Sequence, residues 1–116
     1  MTTIGLIDSH THLQDEIFDD NRKNVIARAQ EEGVEHIFVC GENISSSQAA
    51  VKLAQTDSRI TAMVGFHPHN ASETTLEKLD KVKELARNKE VCAIGEIGLD
   101  FYRNLSPPKI QHDIFE

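Results

Sequence analysis

The sequence predicts an α/β fold built on a parallel β-sheet. Four short apolar runs alternate with longer segments whose apolar residues recur at helical spacing. The apolar runs are continuous, as in strands buried on both faces of a parallel sheet. Each run also ends in polar or glycine-rich residues. In parallel α/β folds the carboxyl ends of the strands carry the chemistry, so the polar residues predict a functional site there.

Strands and helices alternate along the whole chain. The predicted strands are residues 4–8, 36–40, 60–65 and 91–97. The predicted helices are residues 18–32, a segment from 45 through 54, residues 72–88 and a last helix that begins at Ser106.

Residues with capping side chains mark the predicted helix starts. Asp19 or Asp20 would cap the first helix, and Ser45 with Gln48 has the spacing of a capping box for the second. Ser106, followed by two prolines, would open the last helix.

The chain is shorter than a complete domain of the predicted fold. A (β/α)8 TIM barrel needs about 250 residues, and this chain of 116 residues supplies four strands. We interpret residues 1–116 as one partial domain holding about the first four βα units of such a barrel. A complete four-stranded domain is the alternative, and the absence of a stop signal after the last helix argues against it. Unpaired edges on the first and fourth strands would favour self-association.

Composition excludes some classes of function. The formal net charge of −7 argues against broad duplex binding through a basic surface. Cys40 and Cys92 fit no metal or disulfide spacing, and Cys92 is expected to be buried. The segment Met1–Ile7 does not resemble a signal peptide, and no apolar run reaches the length of a membrane span. We therefore expect a cytoplasmic protein that does not bind membranes.

Two histidines at the end of the first strand predict half of a metal site. Residues two apart in an extended chain point the same way, so Asp8, His10 and His12 share one side. Imidazole is a common ligand for zinc and similar cations. The alternative for His10 and His12 is a strand end with two surface histidines.

Glu96 is the predicted partner of these histidines and the predicted catalytic residue. It follows an apolar run, where an unpaired buried charge is costly. A salt bridge is one explanation. The other is a metal ligand facing His10 and His12, whose second oxygen bridges to another ion, as in two-metal sites for phosphodiester hydrolysis.

Further residues at strand ends are expected to contact substrate. His67 and His69 flank Pro68 after the third strand, and Arg103 suits phosphate. This predicted substrate-binding set comprises His67, His69, Asp100, Tyr102 and Arg103, with Asp100 either supporting a ligand or capping a helix. Glu42 is expected to line the site without binding metal, and His36 and His112 to be structural or surface residues.

Three motifs together resemble the TatD family of metal-dependent deoxyribonucleases, which belongs to the amidohydrolase-like barrels. They are Asp-Ser-His-Thr-His-Leu at 8–13, Gly-Phe-His-Pro-His at 65–69 and Gly-Glu-Ile-Gly-Leu-Asp-Phe-Tyr at 95–102. The first is shared with many metal barrels, whereas the other two are more specific.

The resemblance implies a hydrolase that cuts phosphodiester bonds in DNA, often from the 3′ end, with divalent metal (Mg²⁺, Zn²⁺ or Mn²⁺, two per complete site). By motif, His10, His12 and Glu96 would bind metal and His67 would line the substrate pocket. The family's further ligands, two histidines and an aspartate, lie beyond the fourth strand. The 116-residue chain alone is therefore expected to be weakly active or inactive. The alternatives are another amidohydrolase-type or phosphoesterase barrel, and a non-catalytic half-barrel.

Overall fold

The computed structural model describes residues 4–116. Residues 1–3, which belong to the segment considered as a signal peptide, lie outside that range. The strands are Leu6–Thr11 (β1), Val34–Cys40 (β2), Ile60–Val64 (β3) and Val91–Ile94 (β4). They form one sheet in the order β1-β2-β3-β4, and every neighbouring pair is parallel. The predicted parallel sheet is therefore confirmed.

A helix follows each strand. The helices are Arg22–Glu31 (α1), Ile44–Ala54 (α2), Leu76–Leu85 (α3) and Pro108–Phe115 (α4), and 3₁₀ turns cover Glu16–Phe18 and Pro68–Glu73. Because consecutive strands are neighbours in the sheet, each helix returns the chain to the next position along it. All four carboxyl ends of the strands therefore lie at the same end of the sheet. Among residues 4–116, no helix combines the length and the apolar composition needed to cross a bilayer.

The hydrophobic core lies between the two central strands and α2. It contains these fully or nearly fully buried residues: Ile37, Val39, Ile60, Ala62, Val64, Ala50, Val51 and Ala54. Continuous apolar runs in β2 and β3 and a small-residue face on α2 produce this layer, because small side chains allow the helix to lie close to the sheet.

Gly41 shows how close α2 comes to the end of β2. A Cβ atom at Gly41 would lie 2.7 Å from the Cα atom of Ser47, which is closer than real contacts allow. Ser47 is fully buried, and its Oγ accepts a hydrogen bond from the Gly65 N–H at 3.2 Å. One buried serine thus joins the ends of β2 and β3, immediately beside Glu42 and His67.

The prediction of four buried strands is correct only for β2 and β3. Leu6 in β1 is 53% exposed and Ile94 in β4 is 49% exposed. The physical reason is that β1 and β4 are the two outer strands of the sheet, each with one neighbour. Cys92 in β4 is exposed for the same reason, so its predicted burial was wrong.

Strand and helix bounds differ from the predictions where side chains form local turns. β1 extends to Thr11, because its pairing with β2 continues to a bridge between Thr11 and Val39. The first helix begins at Arg22 rather than residue 18, because the Asp15 side chain accepts from the Ile17 N–H and organises a separate 3₁₀ turn. The third helix begins at Leu76, after another such turn.

The predicted caps were wrong at three helices. Asn21, not Asp19 or Asp20, is at the start of α1 and makes no side-chain cap. At α2 the capping box joins Asn43 to Ser46, two residues before the predicted pair, since Asn43 accepts directly from the Ser46 N–H. Ser106 does not cap α4, because its Oγ is used to accept from the Ser72 N–H and donate to the His69 carbonyl.

Candidate metal centre

The ends of β1 and β4 bring His10, His12 and Glu96 together, as the sequence predicted. The Nε2 atoms of the two histidines are 3.3 Å apart. Glu96 Oε2 lies 3.3 Å from His10 Nε2 and 3.8 Å from His12 Nε2. All three ligand atoms therefore converge on one point, although they follow from β1 and β4, the two outer strands of the sheet.

A backbone carbonyl fixes the proton of His12 on the nitrogen that faces away from this cluster. His12 Nδ1 lies 3.0 Å from the carbonyl oxygen of Cys40, at the end of β2. Since a carbonyl can only accept, Nδ1 is the donor, and Nε2 of the neutral ring keeps a free lone pair. The buried Gln14 amide donates to the same oxygen at 2.6 Å. Histidine ligands in metal sites are oriented by this type of bond.

The spacing of the three atoms fits a divalent cation. Nitrogen and oxygen ligands about 2.1 Å from a zinc ion at tetrahedral angles lie about 3.4 Å from one another. The three separations in the cluster bracket that value. Three protein ligands also leave positions open for water and substrate, as in catalytic zinc sites. The residues present thus fit the metal that the motifs imply.

Glu96 is held so that its two oxygens face different neighbours. Its backbone N–H donates to the Gly41 carbonyl at 2.8 Å, and the preceding Gly95 N–H donates to the Val64 carbonyl at 2.9 Å. Oε2 faces the histidines of β1, whereas Oε1 lies 3.5 Å from His67 Nε2. The carboxylate therefore stands between two groups of side chains.

The second group includes Glu42. Glu42, His67 and Glu96 can each place one ligand atom within 4.8 Å of the others. Glu42 had been expected only to line the site. Its signal was present in the sequence, because a carboxylate after the buried strand β2 repeats the pattern that identified Glu96 after β4.

His67 presents the opposite nitrogen chemistry to His12. Its Nδ1 accepts a hydrogen bond from the His69 backbone N–H at 3.1 Å. An amide N–H can only donate, so the proton of the neutral His67 ring is on Nε2, the atom that faces Glu96. In this state His67 is a hydrogen-bond donor to a carboxylate or a phosphate rather than a metal ligand.

His69 and Asp100 form a pair beside the cluster rather than within it. His69 Nε2 is hydrogen-bonded to Asp100 Oδ2. Asp100 Oδ1 also accepts from the backbone N–H groups of Tyr102 and Arg103 at 3.0 and 3.1 Å. The His69 hydrogen bond, followed by these backbone bonds, lowers the pKa of Asp100 below its ordinary value. Asp100 thus supports His69, which belongs to neither candidate metal group, and caps the turn that carries Tyr102.

The remaining predicted residues lie outside the cluster. Tyr102 and Arg103 are exposed on the turn that Asp100 caps. Asp8, on the same strand as His10, accepts from the His10 backbone N–H at 3.4 Å and is in neither candidate metal group. His36 has its Nε2 2.7 Å from Thr61 Oγ1, and His112 is exposed on α4.

Comparison with known proteins identifies relatives along almost the whole chain. Residues 7–116 match the family described as TatD related DNase. The chain is 39% identical over 110 residues to an uncharacterized metal-dependent hydrolase, YabD, of Bacillus subtilis (strain 168), covering 95% of this chain and 43% of that protein. It is 38% identical over 110 residues to the 3′-5′ ssDNA/RNA exonuclease TatD of Escherichia coli (strain K12), covering 95% of this chain and 42% of that protein.

The fold also matches a solved structure. The crystal structure of YjjV, a TatD homologue from Escherichia coli K12, superposes with a TM-score of 0.86 at 25% identity, covering 95% of this chain and 43% of that one. The four parallel βα units are consistent with part of a TIM barrel, and the predicted fold class is confirmed. The chain spans less than half the length of each of these relatives.

Proposed function

We propose a function for this chain, which belongs to the TatD-related DNase family. The family predicted from the three motifs is thereby confirmed. We propose that residues 4–116 carry about half of a metal-dependent hydrolase site for phosphodiester bonds in DNA. The whole enzyme would remove nucleotides from the 3′ end, because relatives at 38–39% identity are named 3′-5′ ssDNA/RNA exonucleases.

One observation supports the proposal more than any other. The Glu96 carboxylate faces the Nε2 atoms of His10 and His12 with one oxygen and Nε2 of His67 with the other. Two histidines and a carboxylate at cation spacing form a ligand set with open positions. A structural salt bridge would not require two imidazole nitrogens to converge on one carboxylate oxygen.

The residues take separate roles in this proposal. His10, His12 and Glu96 would hold one divalent ion, and Glu96 with Glu42 would hold a second. Mg²⁺, Zn²⁺ or Mn²⁺ bound there would lower the pKa of a bound water and offset phosphate charge. Glu96 is the catalytic residue of this half-site because it alone belongs to both groups. The Cys40 carbonyl holds His12 in its ligating tautomer.

The substrate residues lie at the same end of the sheet as the metal ligands. His67 donates from Nε2 to a phosphate oxygen, and His69 is held by Asp100 beside it. Tyr102 and Arg103 extend this surface from an exposed turn, and the guanidinium of Arg103 matches phosphate geometry. These contacts are local, which agrees with a chain whose net charge of −7 gives no broad basic surface.

Two predictions about the setting of the site stay predictions. Cytoplasmic location agrees with the two free thiols, Cys40 and Cys92. Self-association through β1 and β4 agrees with their place at the sheet edges and with the exposure of Leu6 and Ile94.

The test measures whether a divalent cation links this site to DNA. A fluorescently labelled single-stranded oligonucleotide is titrated with the chain in Mn²⁺ and again in chelator, with Glu96→Ala and, as a control, the surface variant His112→Ala. We expect binding that needs Mn²⁺, is lost in Glu96→Ala and persists in His112→Ala. Equal binding in chelator, or in Glu96→Ala, would contradict the proposal.

Cleavage gives a second readout. We expect the chain by itself to shorten the oligonucleotide weakly or not at all, since it spans less than half the length of its relatives. Rapid degradation that chelator stops and His10→Ala abolishes would show that these 116 residues suffice. A panel including a carboxylic ester and an amide separates a nuclease from other hydrolases of this barrel type.

A further inference from the structure

Tyr102 is almost fully exposed to solvent, although it is a large aromatic residue. Its side chain is 95% exposed, more than that of any other large hydrophobic residue among residues 4–116. The neighbouring Phe101 is 52% exposed, and its ring packs 5.6 Å from the ring of His112. The two adjacent aromatics therefore differ, because Phe101 has a partner in the fold and Tyr102 extends into solvent.

The turn beneath Tyr102 is held by hydrogen bonds from Asp100 and from the buried side chain of Gln111. Asp100 Oδ1 accepts from the Tyr102 N–H at 3.0 Å, and the Asp100 N–H donates to Gln111 Oε1 at 2.7 Å. Gln111, which is 1% exposed, donates from Nε2 to the carbonyls of Asp100 and Ser106 at 3.0 and 2.7 Å. The backbone that carries the exposed ring is thus fixed before any ligand binds, so little ordering entropy is lost on contact.

The turn lies beside the candidate metal centre. Asp100 is hydrogen-bonded to His69, which follows His67 by two residues, and His67 Nε2 is 3.5 Å from Glu96 Oε1. Arg103, next to Tyr102, is also exposed. An aromatic face and a guanidinium therefore stand together at the rim of the site, which suits a base and its phosphate.

We propose that Tyr102 is a stacking platform for an unpaired nucleobase of the strand whose phosphate enters the metal centre. This inference rests on the proposed function and adds a source of strand selectivity to it. Every base has a π-face that can stack on tyrosine, whereas the bases of a duplex already stack on their neighbours. Tyr102 therefore favours single strands without reading sequence.

The chain contains one tyrosine and no tryptophan, so its intrinsic emission reports on Tyr102 alone. The experiment titrates the whole chain, in Mn²⁺, with an oligothymidylate of about eight nucleotides and with an abasic oligonucleotide of the same length. Both probes carry the same phosphates, and only the first carries bases. We expect tyrosine emission to fall on binding of the oligothymidylate and to stay unchanged on binding of the abasic strand.

Variants measured by anisotropy of labelled oligothymidylate complete the test. Tyr102→Ala should weaken binding about 5- to 100-fold, the range for loss of one stacked base, and Tyr102→Phe should retain it. Leu105→Ala, a change at a 64% exposed side chain of the same segment, is the matched control and should bind as the parent does.

The outcomes separate this inference from the function on which it rests. Metal-dependent binding with equal affinity for the two probes, or unaffected by Tyr102→Ala, overturns the stacking platform and leaves the phosphodiesterase site in place. Failure of both probes to bind in Mn²⁺ overturns the proposed function and the platform with it. A duplex of the same sequence that quenches Tyr102 emission as strongly as the single strand would also contradict the platform.

Discussion

His10 and His12 bring their Nε2 atoms to within 3.3 Å of each other at the end of β1. Two nitrogen lone pairs at that distance repel unless a proton or a cation lies between them. The Cys40 carbonyl keeps the His12 proton on Nδ1, and Glu96 Oε2 approaches both rings. The arrangement is therefore suited to a shared cation, and each of its parts can be removed separately.

Loss of either histidine should weaken cation binding. His10→Ala and His12→Ala each remove one ligand. Mutation of a residue that only hydrogen-bonds to a ligand lowers metal affinity about 10–100-fold. We therefore expect loss of a ligand itself to lower the affinity by at least about tenfold. Isothermal titration with Zn²⁺ measures the affinity. The control is His112→Ala, which removes an exposed imidazole on α4. An unchanged affinity in both ligand variants would contradict the assignment.

Loss of the Glu42 charge should lower the number of bound ions and leave the site of His10, His12 and Glu96 unchanged. Glu42→Gln removes a charge from the group that includes His67 and leaves the His10, His12 and Glu96 group intact. We expect the ratio of bound Mn²⁺ to protein to fall from two to one under saturating metal. Equilibrium dialysis measures the ratio, and Glu35→Gln, at the opposite end of β2, is the control. A ratio of one in the parent protein would show that Glu42 holds no second ion.

Asp100 should make stability depend on pH in the acid range. The hydrogen bond from His69 lowers the pKa of this carboxyl from its ordinary value of 3.8. A lowered pKa means that the ionised form stabilises the fold fully above the unfolded value and that this contribution declines as pH falls through the folded value. We expect the difference in Tm between the parent and Asp100→Asn to be largest near neutral pH and to shrink below pH 3.8.

Thermal unfolding followed by circular dichroism across that range tests the prediction for Asp100. A difference in Tm that stays constant down to the lowest pH would mean that the Asp100 charge does not contribute. A parent protein less stable than Asp100→Asn at neutral pH would mean that the Asp100 charge destabilises the fold.

The two cysteines should react at different rates. Burial raises the pKa of the Cys40 thiol, whereas Cys92 is exposed on β4. Thiolate is the reactive form, so iodoacetamide should modify Cys92 first and leave Cys40 unmodified in the folded protein. Peptide mass spectrometry identifies the adducts, and both residues should react in denaturant. Equal rates before unfolding would contradict the packing of β2.

The sequence was most informative where functional side chains follow the ends of predicted strands. The parallel sheet follows from continuous apolar runs, and the meeting of His10, His12 and Glu96 follows from their places at strand ends. The tautomers of His12 and His67 could not be predicted, because the Cys40 carbonyl that orients His12 is 28 residues away in sequence.

The errors arose where local side chains compete with the helix pattern. Asp15 and Asn43 bond to nearby backbone N–H groups and set boundaries that apolar spacing does not reveal. The approach of Glu42 to His67 and Glu96 was not predicted, because no motif includes Glu42, although it follows β2 as Glu96 follows β4. The exposure of β1 and β4 depends on what lies beyond each edge of the sheet, which local hydrophobicity does not determine.

The metal centre is tested most sharply by locating the cation itself. Crystals of the chain soaked in Zn²⁺ are measured at the zinc absorption edge, and the anomalous difference map shows where the ions bind. We expect the strongest peak at ligand distance from His10 Nε2, His12 Nε2 and Glu96 Oε2, and its loss in Glu96→Ala. A map with no peak at these three atoms, or a peak that persists in Glu96→Ala, would contradict the metal centre.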